Sequence, residues 1–161
     1  MDWSPLATLL HVLIAFVFVG GLLGRWVLLS HARASKDVER AHLLTETAGP
    51  FERMVTIGSM LVLPAGLFAA WARGYEWLGL TTGWIQVATV LYLTMAPLVP
   101  LVFLPRGRRF EAAMTEARAS GRVTPELTAA FADRAVSLAR TYELSAVLLI
   151  VALMVLKPDL W

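Results

Sequence analysis

The stretch LHVLIAFVFVGGLLGRW, from Leu10 to Trp26, is aliphatic and aromatic apart from His11, a glycine cluster and Arg25. It lies inside a longer run, Leu6 to Leu29, that carries a single charge. Crossing the hydrocarbon core of a bilayer takes about 20 apolar residues, and this run is long enough. Three more runs have that length. Met54 to Ala72 and Trp84 to Leu104 hold no charge, and Ala135 to Leu156 holds Arg140 and Glu143 near its start. The chain is 58% hydrophobic and 16% charged, where soluble domains carry about 25% charged residues. These runs predict an all-α, four-transmembrane-helix bundle, a single integral membrane domain over residues 1–161. The spans fall near 6–29, 54–72, 84–104 and 135–156, with helical segments 30–48 and 106–134 outside the bilayer.

Composition also narrows the chemistry. There are no cysteines, which excludes disulfides, thiolate metal sites and cysteine nucleophiles. The flank MDWSP is acidic and the apolar run behind it is longer than a signal-peptide core, so a cleaved leader is not expected. Basic residues crowd two connections. Arg33, Lys36, Arg40 and Arg53 lie between the first two spans, and Arg106, Arg108, Arg109, Arg118, Arg122, Arg134 and Arg140 around the last connection. The other side has only Arg73 and Lys157, together with Trp3, Trp71, Trp77, Trp84 and Trp161 as an interfacial belt. By the positive-inside rule, the reading is a multi-pass protein of the bacterial inner membrane with both termini outside. The basic excess is topological, and no feature calls for a nucleic-acid partner.

Local signals set the helix ends. Pro5 suits the first turn of helix 1, and the stretch SHARASKDVERAHLLTETA, Ser30 to Ala48, contains no Gly or Pro and should prolong that helix. Pro50 should start helix 2, and Pro64 should bend it. Pro97, Pro100 and Pro105 interrupt helix 3, so MAPLVPLVFLP should be bent or locally unwound. Gly121 should end the segment that follows. Thr124 as N-cap and Pro125 behind it then open helix 4, expected to run unbroken to Lys157.

His11, Phe18 and Arg25 recur every seven residues and share one helix face, which should point into the bundle because charge facing lipid is costly. Gly20 and Gly24 form a small-xxx-small pair suited to close helix packing. Arg25 and Glu143 stand at similar depth, one turn from the same side, and are expected to form an intramembrane ion pair, with Arg140, Glu52 and Arg53 nearby. His11 lies roughly 8 Å deep from the other side, where desolvation favours a neutral imidazole able to bind metal or haem, relay protons or bond across helices. Neither His31 nor His42 can reach it, so a haem iron would need an open position, a second His11 across a homodimer, or a methionine. Met154 is nearest in depth. Tyr92 and Lys157 could serve a propionate or a substrate acid. His42 and Glu46, at i and i+4, lack a third metal ligand alongside His31 and Glu39, so no metal site is expected.

The segments LHVL, GGLLGRW, VFLPRGRRF and the terminal LMVLKP, in this order, resemble the domain of unknown function 2269 family of small bacterial membrane proteins. The early histidine also resembles that of the copper-resistance CopD group and of the HemJ-type protoporphyrinogen oxidases. That second resemblance implies haem b or a related redox cofactor on His11, with Arg25 in the place of the arginine that follows the glycines. It does not extend to a second histidine or to metal-binding clusters, and Tyr142 stands where a tryptophan is expected.

Three functions follow as expectations. One is a haem or redox protein ligated through His11. Another is a non-catalytic membrane subunit or scaffold that packs against a partner protein. The third is a small transporter or proton-relay protein in which the proline-broken helix lines a path. No phosphate-binding glycine loop or paired-carboxylate site marks a soluble-type enzyme.

Overall fold

The computed structural model describes residues 2–160. Seven α-helices carry the chain: α1 (Ser4–Ala34), α2 (Val38–Thr47), α3 (Gly49–Ala72), α4 (Gly83–Met95), α5 (Leu104–Ser120), α6 (Pro125–Phe131) and α7 (Arg134–Leu156). A 3₁₀ turn, Glu76–Gly79, joins α3 to α4, and a π-helical turn, Val99–Phe103, joins α4 to α5. No strand occurs among the described residues. Four stretches are long and apolar enough to cross a membrane: α1, α2 with α3, α4 through α5, and α6 with α7. The molecule is a four-helix bundle of the membrane class. Trp161, which the sequence places in the aromatic belt, lies outside the described residues.

Two of the expected continuous helices are broken, each by a side chain that competes for backbone hydrogen bonds. The segment 30–48 does not prolong α1. Ser35 Oγ accepts from Asp37 N, and the Asp37 carboxylate accepts from Glu39 N, so the chain stops and restarts as α2. Helix 4 is likewise not unbroken from Pro125 to Lys157. Asp133 Oδ1 accepts from Ala135 N at 2.9 Å and Val136 N at 3.1 Å, and so caps a new helix, α7. Burial opposes the charge on Asp133. The Val136 and Ala135 N–H groups and the Arg106 guanidinium outweigh it, holding the carboxyl below the usual aspartate range. Other signals act as expected. Thr124 caps α6 by accepting from Leu127 N, and Gly121, at φ 67°, ends α5 in a left-handed cap.

The three prolines explain the π turn. Each lacks the N–H that would bond four residues back, which frees the carbonyls of Leu93, Ala96 and Leu101. Val99 N donates to Ala96 O, the Leu104 N–H reaches back five residues to Val99 O, and Arg106 Nη1 donates to Leu101 O. Local rewinding and one arginine thereby absorb part of what the prolines remove.

α1 and α3 form the most extensive helix pair, and α4 with α7 the next. Phe18, Leu22, Val55, Met95, Ala146 and Val147 make the buried centre where the two pairs meet. A second cluster, Val38, Ala41, Ala113, Met114, Ala117 and Leu127, ties α2, α5 and α6 together at the arginine-rich end.

Candidate functional site

Arg25 is the node of the bundle. It is 6% exposed, and its two guanidinium nitrogens point to different helices. Nη2 donates to Glu143 Oε2 of α7 at 2.5 Å, and Nη1 donates to Glu52 Oε1 of α3 at 3.2 Å. The Phe103 ring of the π turn lies beside the same group, 5.5 Å from Cζ to the ring centroid. One side chain of α1 therefore touches all three other membrane-crossing units. Glu143 is buried, whereas the Glu52 side chain is 55% exposed. Arg140, one turn before Glu143 on α7, sits in the field of Arg25, Glu52 and Glu143. The ion pairs among the described residues leave it out.

A crevice of about 1320 Å³ opens beside this node, between α3 on one side and α4, the π turn and α5 on the other. α3 and α4 meet near the 3₁₀ turn, where Gly79 lies against Ile85 and Ala70. Farther along they lack close backbone packing, and the Tyr92 hydroxyl, donating to Ser59 O, bridges them. The crevice is apolar toward Phe18, Tyr92 and Met95 and charged toward Arg25, Arg140 and Glu143. Arg108, Arg109, Glu111 and Glu126 stand at its far end on α5 and α6. Met60, Val99 and Leu104, which also line it, are well exposed on the outer surface.

The other predicted site residues lie elsewhere. His11 is half-buried against α3. Its ring packs on Gly66, where an added Cβ would come within 2.9 Å of Cε1, and Nδ1 lies 3.1 Å from Val62 O. A carbonyl only accepts, so Nδ1 carries the proton and the ring serves as a helix–helix hydrogen bond. His11 is outside the crevice, seven residues or about 10 Å along α1 from Phe18 at its apolar end. Met154 and Lys157 stand at the end of α7 and do not line the crevice; Lys157 lies over the Trp84 ring at 5.9 Å. Of the named cofactor candidates, the crevice takes in Tyr92 alone. The haem reading of His11 therefore finds no support in this geometry. His42 bonds its i+4 neighbour Glu46 at 3.1 Å, and Glu39 pairs with Arg118 of α5. No group of three metal-ligating side chains forms among the described residues.

Glycine packing follows a different register from the one expected. A Cβ on Gly20 would meet nothing within 4 Å, so this residue takes no part in the α1–α3 contact. A Cβ on Gly21 would come within 3.0 Å of Phe51 O and Val55 N, and Gly24 lies under the Phe51 ring. α3 answers with Gly58 beneath Phe18 and Gly66 beneath His11. The small residues of the second helix were the missed half of this seam, and their spacing of eight residues was the available signal.

A family model described as a predicted integral membrane protein (DUF2269) matches residues 5–158. No curated protein and no solved structure matches the chain.

Proposed function

For a chain that belongs to the DUF2269 family of predicted integral membrane proteins, we propose a function centred on the crevice: it is a binding site for an amphipathic small molecule. The observation that carries this reading is the graded lining, apolar at Phe18, Tyr92 and Met95 and charged at Arg25, Arg140 and Glu143. Concave, mostly apolar pockets with a few convergent polar groups are the ordinary form of small-molecule sites. The Arg25–Glu143–Glu52 network forms the fixed polar wall, and the π turn keeps α4 and α5 away from α3. The molecule is a small membrane receptor or carrier for such a ligand, a reading closer to the transporter expectation than to a haem protein.

Distribution of charge supports an orientation in the bacterial inner membrane with the α2–α5–α6 end in the cytoplasm and both termini outside. Because the chain has no cysteine, single cysteines report sidedness without background. A Cys at Ser120 should be blocked only by a membrane-permeant thiol reagent, and one at Thr81 by an impermeant reagent added outside; the reverse pattern overturns the orientation.

The crevice itself is tested by filling it. Thr56 lines the crevice from α3 and is exposed, and its hydroxyl bonds only its own helix. Thr56→Trp should leave the protein folded and reduce at least tenfold the lipid-like molecules that co-purify with it, read by mass spectrometry. Equal retention in the variant would overturn the binding reading.

A further inference from the structure

The crevice lining carries five arginines and five carboxylates, but the direct ion pairs are shared unevenly among them, and this points to the ligand's chemistry. Arg25 is committed to Glu143 and Glu52, and Arg106 to Asp133. Arg140, Arg108 and Arg109 line the same space with no ion pair, against Glu111 and Glu126 at the far end. Arg140 is the innermost of the three, one helical turn from Glu143 and beside the apolar slot. Arg140 lies in the field of Glu52 and Glu143 but bonds neither of them, since both are taken up by Arg25, so its donors stay open toward the crevice. A guanidinium presents a fork of donors that matches phosphate geometry.

Access points the same way. Met60, Val99 and Leu104 line the crevice and are exposed on the outer surface of stretches long and apolar enough to cross a membrane. A molecule already in the leaflet enters sideways, keeping its chain in apolar surroundings throughout. A soluble anion would have to cross the charged far end and leave the apolar slot unfilled.

We infer that the crevice holds an anionic phospholipid of the leaflet on the arginine-rich side, with its phosphate at Arg140 and an acyl chain along Val55, Met60, Met95 and Val99. The inference rests on the binding reading above and names the ligand class of that site. Arg25 supplies the positive end of a closed network and stays paired. Arg140 is the residue that discriminates an anionic head group from a zwitterionic one, and Arg108 and Arg109 add attraction from the charged far end.

The test is native mass spectrometry of the full chain in detergent, titrated separately with phosphatidylglycerol and phosphatidylcholine. The wild type should retain phosphatidylglycerol about tenfold more strongly, a difference of about 1.4 kcal/mol. Arg140→Gln should remove most of that preference, and Arg140→Lys should keep part of it, with helical circular dichroism showing that both variants are folded. Equal retention of the two lipids by the wild type, or an unchanged preference in a folded Arg140→Gln, would overturn the inference. Displacement of phosphatidylglycerol by millimolar inorganic phosphate would also overturn it, assigning the site to a free phosphate compound. Thr56→Trp separates loss of the crevice from loss of its anionic preference. If it abolishes retention of both lipids while they bind the wild type equally, the crevice stands and the anionic assignment falls. If it changes neither, the crevice itself is refuted.

Discussion

α3 faces two neighbours, and it treats them in opposite ways. Toward α1 it presents Gly58 and Gly66, each occupied by a side chain of α1, while α1 returns Gly21 and Gly24. In a bilayer the hydrophobic effect gives little drive between helices, so close van der Waals contact across small residues does the work. Toward α4 the same helix presents Ser59, Thr56 and Met60, and α4 turns off at Pro97 into the π turn. There close backbone packing is lacking, and Tyr92 bridges the two helices by donating to Ser59 O. A helix pair closes where small residues alternate between the partners and opens where prolines redirect one of them. The open side is where a ligand fits.

Arg25 holds the two sides in register, so the largest effect should come from it. Glu143→Leu leaves a buried guanidinium with only the exposed Glu52, a loss of about 3–5 kcal/mol. The double variant Arg25→Met, Glu143→Leu should regain most of that, because a packed apolar pair replaces a buried ion pair at little cost. Thermal unfolding in detergent reads both, and a double variant as unstable as the single would show that the network does more than neutralise charge.

A smaller effect separates the two helix faces. Gly58→Ala pushes a Cβ to within 2.8 Å of Phe18 Cβ and 3.0 Å of its Cα, and should cost about 1–3 kcal/mol by overpacking. Gly20→Ala meets open space and should be neutral or raise stability by up to about 1 kcal/mol through helix propensity. Equal destabilisation by both would mean that the Gly20 face is also packed, against a second molecule.

The smallest effect lies at the junction of α6 and α7. Asp133→Ala removes the cap of α7 and its bond to Arg106, worth about 1 kcal/mol. The folded carboxyl titrates below its unfolded value, so this contribution is complete above about pH 4 and is lost as pH falls through the depressed folded value. Wild type and variant should therefore differ at pH 6 and converge in strong acid. A constant gap across that range would assign the loss to packing.

Much of this was legible in the residues. Apolar run length announced four spans, and Pro5, Pro50, Gly121 and Thr124 marked helix ends because each acts through its own backbone. The breaks at Asp37 and Asp133 carried a signal as well, since Ser and Asp compete for backbone N–H groups, but long apolar or Gly-free context outweighed it in a linear reading. His11 misled for a different reason. An imidazole at that depth is compatible with a ligand or with a bond to a neighbouring carbonyl, and Val62 O lies on another helix.

The sequence by itself determined the membrane class, the number of spans, the proline-disrupted third span and the charged residues each helix carries. Those properties depend on run length, local backbone chemistry and the price of charge in hydrocarbon, all of them written along one chain. Tertiary structure decided that Arg25 reaches both Glu143 and Glu52, that Gly21 rather than Gly20 faces α3, and that Arg140 stands unpaired beside a crevice. A helix has several faces at each depth, and only the rotation and tilt set by packing choose which of them meet.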